Sequence, residues 1–261
     1  MFNDWLTGEG ESEDEGEGER LDLTEHLNEL RSRIIYAGIF ILVPTAIAFF
    51  FSDYILSLLT LPSGNLQLKA FSIMDGFMVK WRVSLMTGLV LAFPFWAYQI
   101  YAYIKPGLFE HERRAIFNPL IGAAVLFVLG GAFGYYMLWG MIRVLLQFFP
   151  RQVDFLPSAD DYISFVLFFI TACGLAFQLP TMIVILARLH LVNAALLAKQ
   201  RRIAYFALFV FAEIITPVSD PIVAPLTVLV PLVLLYEMSV VLVRRIDARR
   251  AREALQLTPS P

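Results

Sequence analysis

Charge is scarce in this sequence, and cysteine and histidine are scarcer still. Only 16% of residues are Asp, Glu, Lys or Arg, 58% are hydrophobic and the mean hydropathy is +0.68; soluble domains carry about 25% charged residues. So apolar a chain argues against a soluble enzyme and against a nucleic-acid-binding domain. The single cysteine, Cys173, excludes an internal disulfide or a cysteine metal site. Inside an apolar run, its thiol reads as a small buried hydrophobe. The three histidines, His26, His111 and His190, fall outside the apolar runs, and no two are spaced i, i+3 or i+4. HERR at 111–114 therefore lacks the second histidine of a zinc protease helix. A nucleophile elbow, a phosphate-binding glycine loop and the paired intramembrane histidines of a haem site are all missing. No catalytic residue, metal site or cofactor is expected.

What charge there is lies unevenly. Residues 1–29 hold 11 of the 23 acids and one base, Arg20, for a net −10; the remainder carries +7. Residues 8–19 contain only Gly, Glu, Ser and Asp, too polar to bury a core, so residues 1–21 read as a disordered acidic tail. The MFNDWL before it reads as a frayed terminus, and no cleavable leader is visible. A short amphipathic helix is expected over 22–33. Leu23, Leu27, Leu30 and Ile34 share one face, with Asp22 as N-cap and Glu25 three residues on.

Long apolar runs follow at 34–52, 83–104, 115–142 and 162–187, each near the ~20 residues needed to cross ~30 Å of hydrocarbon. Two weaker ones follow at 203–216 and 222–243, interrupted by Glu213 and by Pro225, Pro231 and Glu237. The expected fold is an all-α polytopic membrane protein of six spans over residues 22–245, with a basic tail at 246–261. Pro44, Pro94, Pro180 and Pro231 fall inside spans and predict kinks, hence a bent bundle. The last two spans read as a short hairpin. With both termini on one side, that side carries 15 Lys and Arg against 5, which places it in the cytoplasm. The same cationic residues suit anionic lipid.

Two acids stand out against that basic face. Glu29 lies in HLNELRSR (26–33), at the mouth of the first span. Glu112 lies in PGLFEHERR (106–114), between spans two and three. One reading makes Glu29 an i,i+4 partner of Arg33 and Glu112 a solvated charge. The other makes both of them sites for a cationic ligand, strengthened by the low dielectric of the membrane boundary. Inside the spans lie Gln99, Gln178, Glu213 and Glu237. Intramembrane carboxylates raise the alternative of a proton- or ion-coupled secondary transporter using Glu213 and Glu237. Against it stand the lack of an internal repeat and of an obvious intramembrane basic partner. For Glu237 a hydrogen bond to a neighbouring helix is the simpler account. Tyr98, Tyr101 and Tyr103 fit an interfacial belt.

HLNELRSR, PGLFEHERR, FQLP (177–180) and ITPVSDP (215–221) occur in order, and this set resembles the TatC family of the twin-arginine translocase. The resemblance spans residues 22–245 and implies a bent six-helix receptor of the cell membrane that has no catalytic residue. Such a receptor binds twin-arginine signal peptides of folded cargo, and its partners are single-span TatA- and TatB-type subunits and further copies of itself. The resemblance assigns Glu29, Glu112, Arg31, Tyr103, Pro106 and Leu108 to signal-peptide binding. Pro62, Phe77, Gln178, Glu213, Thr216 and Asp220 fall to structural or partner contacts. Many relatives carry glutamate where Gln178 stands, so a polar role there replaces a titrating one.

Overall fold

The computed structural model describes residues 10–64, 66–104, 110–147, 156–216 and 223–257, with side chains described for 28–64, 66–103, 121–147, 156–216 and 225–252. The described chain is helical. Helices α1 (Gly10–Phe50) and α2 (Ser52–Thr60) lead through a 3-10 turn, Leu61–Ser63, to α3 (Asp75–Leu91) and α4 (Phe93–Ile104). Helix α5 (Glu110–Gln147) is followed by α6 (Ala159–Ala176), α7 (Leu179–Arg188) and the one-and-a-half-turn α8 (Ala194–Lys199). Helices α9 (Arg201–Ile215) and α10 (Val223–Leu257) complete the chain.

Both expected boundaries with the polar tails move. Asp22 does not begin a helix, because α1 is already continuous from Gly10 and includes residues 10–21 of the segment expected to be disordered. Glutamate is a good helix former, and carboxylates near a helix N-terminus complement its dipole. At the other end α10 continues to Leu257, so most of the expected basic tail is helix and the last span is not short. Of the expected short pair only α9, at 15 residues or about 22 Å, is short.

Four segments are long and apolar enough to cross a membrane: Asn28–Phe50, Ile121–Gln147, Ala159–Arg188 and Pro225–Arg252. The bent pair α3–α4 makes a fifth if counted as one span. Prolines break two of these segments and leave two continuous. The α3–α4 axis turns by 53° at the fully buried Ala92, two residues before Pro94. The proline ring has no N–H and excludes the Val90 carbonyl four residues back; in the same turn the Trp96 indole N–H donates to the Leu89 carbonyl at 3.2 Å. Between α6 and α7 the chain breaks at Phe177–Gln178, with Pro180 in the first turn of α7. Pro44 and Pro231 sit within unbroken helices.

Helix α6 is the centre of the bundle, with Ile163, Val166 and Phe169 wholly buried. Helices α5 and α6 approach through glycine. A Cβ on Gly130 would lie 2.7 Å from the Cys173 carbonyl, and one on Gly134 would lie 2.9 Å from the Cys173 Cβ. This Gly-x-x-x-Gly spacing lets backbones come close where lipid gives no hydrophobic drive to associate. Helices α1 and α3 use the same device, for a Gly88 Cβ would strike the Thr45 backbone at 2.7 Å. At one end of the bundle, Tyr135 and Tyr162 donate to the Leu58 and Leu59 carbonyls at 2.8 and 3.1 Å. There too Lys69 pairs with the Pro157–Ala159 strand-like segment through 3.0 and 2.8 Å backbone bonds.

The opposite end is held by charge. Glu237 of α10 accepts from Arg201 at 2.7 Å and from the Tyr205 hydroxyl at 2.6 Å, both on α9. The basic partner that sequence alone did not reveal is therefore the first residue of α9. Further along α10, Arg250 donates to the last carbonyls of α7, Ala187 and Arg188, at 2.9 Å each. Asp247 accepts from the Ala194 N–H that opens α8, at 2.9 Å. Each charge meets the helix terminus of opposite sign.

Two substitutions test this packing. Gly134→Val forces a branched side chain into Cys173 and is expected to cost about 1–3 kcal/mol. It should lower the melting temperature in detergent, whereas Gly140→Ala, whose new methyl meets nothing within 4 Å, should not lower it. Arg201→Gln leaves the Glu237 carboxylate without its cation and should lower the melting temperature more than the double variant Arg201→Gln/Glu237→Gln. Equal losses in the single and double variants would show the pair to be energetically idle.

Candidate functional site

Glu29 stands about midway along α1, where the helix runs beside α4. Its carboxylate accepts from Arg33 Nε at 3.0 Å and Nη2 at 2.5 Å, both at Oε1. This is the i,i+4 pair that the helix spacing offers. Arg33 reaches further, donating through Nη1 to the Gln99 side-chain oxygen of α4 at 3.2 Å. Both ends of the ion pair are partly buried, at 25% and 32% side-chain exposure. The arrangement links a carboxylate, a guanidinium and an amide across two helices.

Beneath this chain of polar groups opens a groove of about 580 Å3 between α1, α4, α5 and α6. Apart from Arg33 and Gln99 its walls are largely apolar: Leu30, Ile34 and Ile41 from α1, Trp96 and Ile100 from α4, Phe127 from α5. The 53° bend swings α4 away from α3 and so makes the groove's wall. Phe93 stacks on Phe127 with ring centroids 3.9 Å apart, fixing the bend against α5, and Phe40 stacks on Phe95 at 4.9 Å. The groove is thus a fixed apolar slot with a carboxylate at its mouth.

The residues expected at the site are placed unequally. Tyr103 lines the groove, and Glu29 is joined to it through Arg33, which lines it while Glu29 itself does not. Arg31 is exposed and is not among the lining residues. Glu112 lies in the first turn of α5, and its side chain falls outside the described residues; Pro106 and Leu108 lie outside them altogether. Arg33 and Gln99 belong to the site but were not assigned to it from sequence. Their contact joins residues 66 positions apart, and only the presence of two polar groups in facing spans hints at it.

The second set is scattered. Pro62 is buried in the 3-10 turn. The turn ends at Gly64, whose φ of +64° favours glycine. Phe77 is exposed near the start of α3, alongside exposed Ile73, Met74 and Trp81. Thr216 is buried and its hydroxyl donates to the Ala212 carbonyl at 2.6 Å. Asp220 lies outside the described residues. Glu213 is half-buried on α9 and makes no hydrogen bond or ion pair among the described residues. Gln178 sits in the α6–α7 break, and its amide donates to the Ala123 carbonyl of α5 at 2.9 Å. An ionised carboxylate has no proton to give to that carbonyl, so the amide serves this contact where a charged glutamate does not.

Comparison with known proteins agrees with this architecture. The family model described as Sec-independent protein translocase protein (TatC) matches residues 25–231. A TatC of Deinococcus radiodurans is 36% identical over 231 residues, covering 85% of each chain. One of Aquifex aeolicus is 34% identical over 241 residues, covering 89% of this chain and 98% of its own. Two crystal structures of the twin arginine translocase receptor TatC align with TM-scores of 0.73 and 0.69 at 33% and 34% identity. They cover 84% and 83% of this chain, and 99% and 97% of their own. Alike in sequence and fold over nearly the whole length of these relatives, this chain belongs to the TatC family, multi-pass membrane proteins that are non-enzymatic components of the Sec-independent protein translocase.

Proposed function

We propose that this chain is the receptor for twin-arginine signal peptides in the export of folded proteins. The observation that carries the reading is Glu29, a carboxylate already accepting a guanidinium fork at the mouth of an apolar groove. Guanidinium is planar and presents parallel donors that match a carboxylate; an ammonium is a point charge without that fork. Glu29 uses one oxygen for Arg33, which leaves the other for an incoming arginine. Glu112 is the second acceptor in this reading, with Arg31, Tyr103, Pro106 and Leu108 around it. The apolar stretch that follows the two arginines then lies along the groove beside Ile34, Trp96 and Phe127.

The assembly follows from the same frame. The spans are α1, α3–α4, α5, α6–α7, α9 and α10, six in all, with both termini in the cytoplasm and the bundle in the cell membrane. Helix α9 presents Ile203, Phe206, Val210 and Ile214 outward at helical spacing, a surface for the single span of a TatA- or TatB-type subunit. Phe77 and its exposed neighbours serve contacts with such subunits or with further copies of this chain. Because α9 is shorter than the hydrocarbon core, it favours a locally thinned bilayer. Glu237 is engaged by Arg201 and Tyr205, a structural use that leaves the transporter alternative with Glu213 alone.

Site-specific crosslinking of a twin-arginine peptide to positions beside Glu29 and Glu112 tests the reading, with a twin-lysine peptide as control. Glu29→Lys or Glu112→Lys is expected to reduce crosslinking at least about tenfold, with insertion and elution profile unchanged. Undiminished crosslinking in both variants, or equal capture of the twin-lysine peptide, defeats it.

A further inference from the structure

We infer that the cavity between α5, α7 and α10 is a binding site for the phosphate headgroup of an anionic phospholipid. The cavity is distinct from the groove at Glu29 and shares no lining residue with it. It measures about 410 Å3, with Leu126, Val184 and Leu242 among its apolar walls. Three guanidinium-bearing residues line it, Arg188 at the end of α7 and Arg245 and Arg249 on α10, and no acid does among the described residues.

That charge pattern asks for an anion. Arg245 and Arg249 stand four residues apart on one face of α10, where like charges repel. Arg188 faces the same space from another helix, adding a third positive charge. Asp247, between Arg245 and Arg249 in sequence, is not among the lining residues and accepts from the Ala194 N–H. Nor does the C-terminus of α7 draw those two arginines, because Arg250 satisfies the Ala187 and Arg188 carbonyls. A further polar group points the same way. Thr181 lines the cavity at 8% exposure, and its hydroxyl makes no hydrogen bond among the described residues. A phosphate oxygen supplies the acceptor it lacks, and arginine forks bind phosphate in a bidentate way.

The shape selects a lipid over free phosphate. Leu242, Arg245, Ile246 and Arg249 form one stripe of α10, with i, i+3, i+4, i+7 spacing, that changes from apolar to basic along the axis. Gly122 of α5 leaves its side of the cavity open, for a Cβ there would meet nothing within 4 Å. Arg188 closes the apolar segment Ala159–Arg188, so the basic rim lies at the level where a headgroup meets its acyl chains. Basic pockets between membrane helices hold anionic headgroups in this way.

Native mass spectrometry of the full chain in detergent tests the site, with dioleoyl phosphatidylglycerol and dioleoyl phosphatidylcholine as probes. Retention of the glycerol lipid is expected to exceed that of the choline lipid and to fall at least about tenfold in Arg245→Gln/Arg249→Gln. Gly122→Leu, which keeps every arginine and fills the apolar floor, should lose the lipid as well. Arg202→Gln/Arg244→Gln removes two charges that do not line the cavity and should leave retention unchanged. Equal loss in that control, retention unchanged in either cavity variant, or displacement of the lipid by millimolar inorganic phosphate overturns the proposal.

Discussion

A helix broken within hydrocarbon uncovers backbone groups that lipid cannot satisfy. The two breaks described in this bundle are therefore tolerable only where protein surrounds them, and their positions dictate much else. The first lies at Ala92, wholly buried, with the Trp96 indole donating to the nearby Leu89 carbonyl. The second lies at Phe177–Gln178, against α5, with Phe177 packed on Gly130 and Phe133. Both breaks face the same helix, α5: Phe93 stacks on its Phe127, and Phe177 lies over its Gly130. The groove at Glu29 is a consequence: α4 leaves the line of α3 because of the first break, and the space it vacates is lined by side chains from α1, α5 and α6.

Charge is distributed by the same economy. Three ion pairs join separate elements. Arg82 of α3 meets Asp160 and Ser164 at the start of α6, Lys80 meets Asp53 of α2, and Arg201 meets Glu237. Exposed pairs such as Lys80–Asp53 are worth little in free energy. At a membrane boundary they still select one register, since a misplaced charge has no water-like medium to accept it. Glu29–Arg33–Gln99 differs from these because it caps a slot open to a ligand. The same contacts that orient α1 on α4 hold a carboxylate ready at the entrance.

Much of this was legible in the sequence, and the illegible parts have definite causes. Apolar run length located the long helices, since the hydrocarbon core imposes it directly. Proline located Ala92 and Phe177, yet Pro44 and Pro231 lie in continuous helices, because removing one hydrogen bond from a long helix does not compel a break. Gly130 and Gly134 went unread, because nothing in the sequence signals their partner, Cys173 on another helix. Glu29–Arg33 was one of two open readings, and the helix spacing supplied it. Arg33–Gln99 and Arg201–Glu237 were not readable, because they join positions 66 and 36 apart through tertiary packing alone. The helical form of residues 10–21 went unread because composition reports burial, and a helix rich in glutamate needs little of it.

Gln178 shows how these constraints meet in one side chain. At a break in a membrane helix, an amide can both donate and accept without carrying charge into the bundle. Its donor goes to the Ala123 carbonyl, tying the α6–α7 break to α5 on the side away from the groove. A carboxylate there must either be protonated or face a carbonyl oxygen. The formal charge of this region is carried instead by Glu237, which lies near the basic end and has Arg201 and Tyr205 as partners. An amide at the break, with a paired carboxylate on α10, gives polarity where the backbone is irregular. It also leaves the α5–α6–α7 contact insensitive to pH, since neither the amide nor the carbonyl titrates.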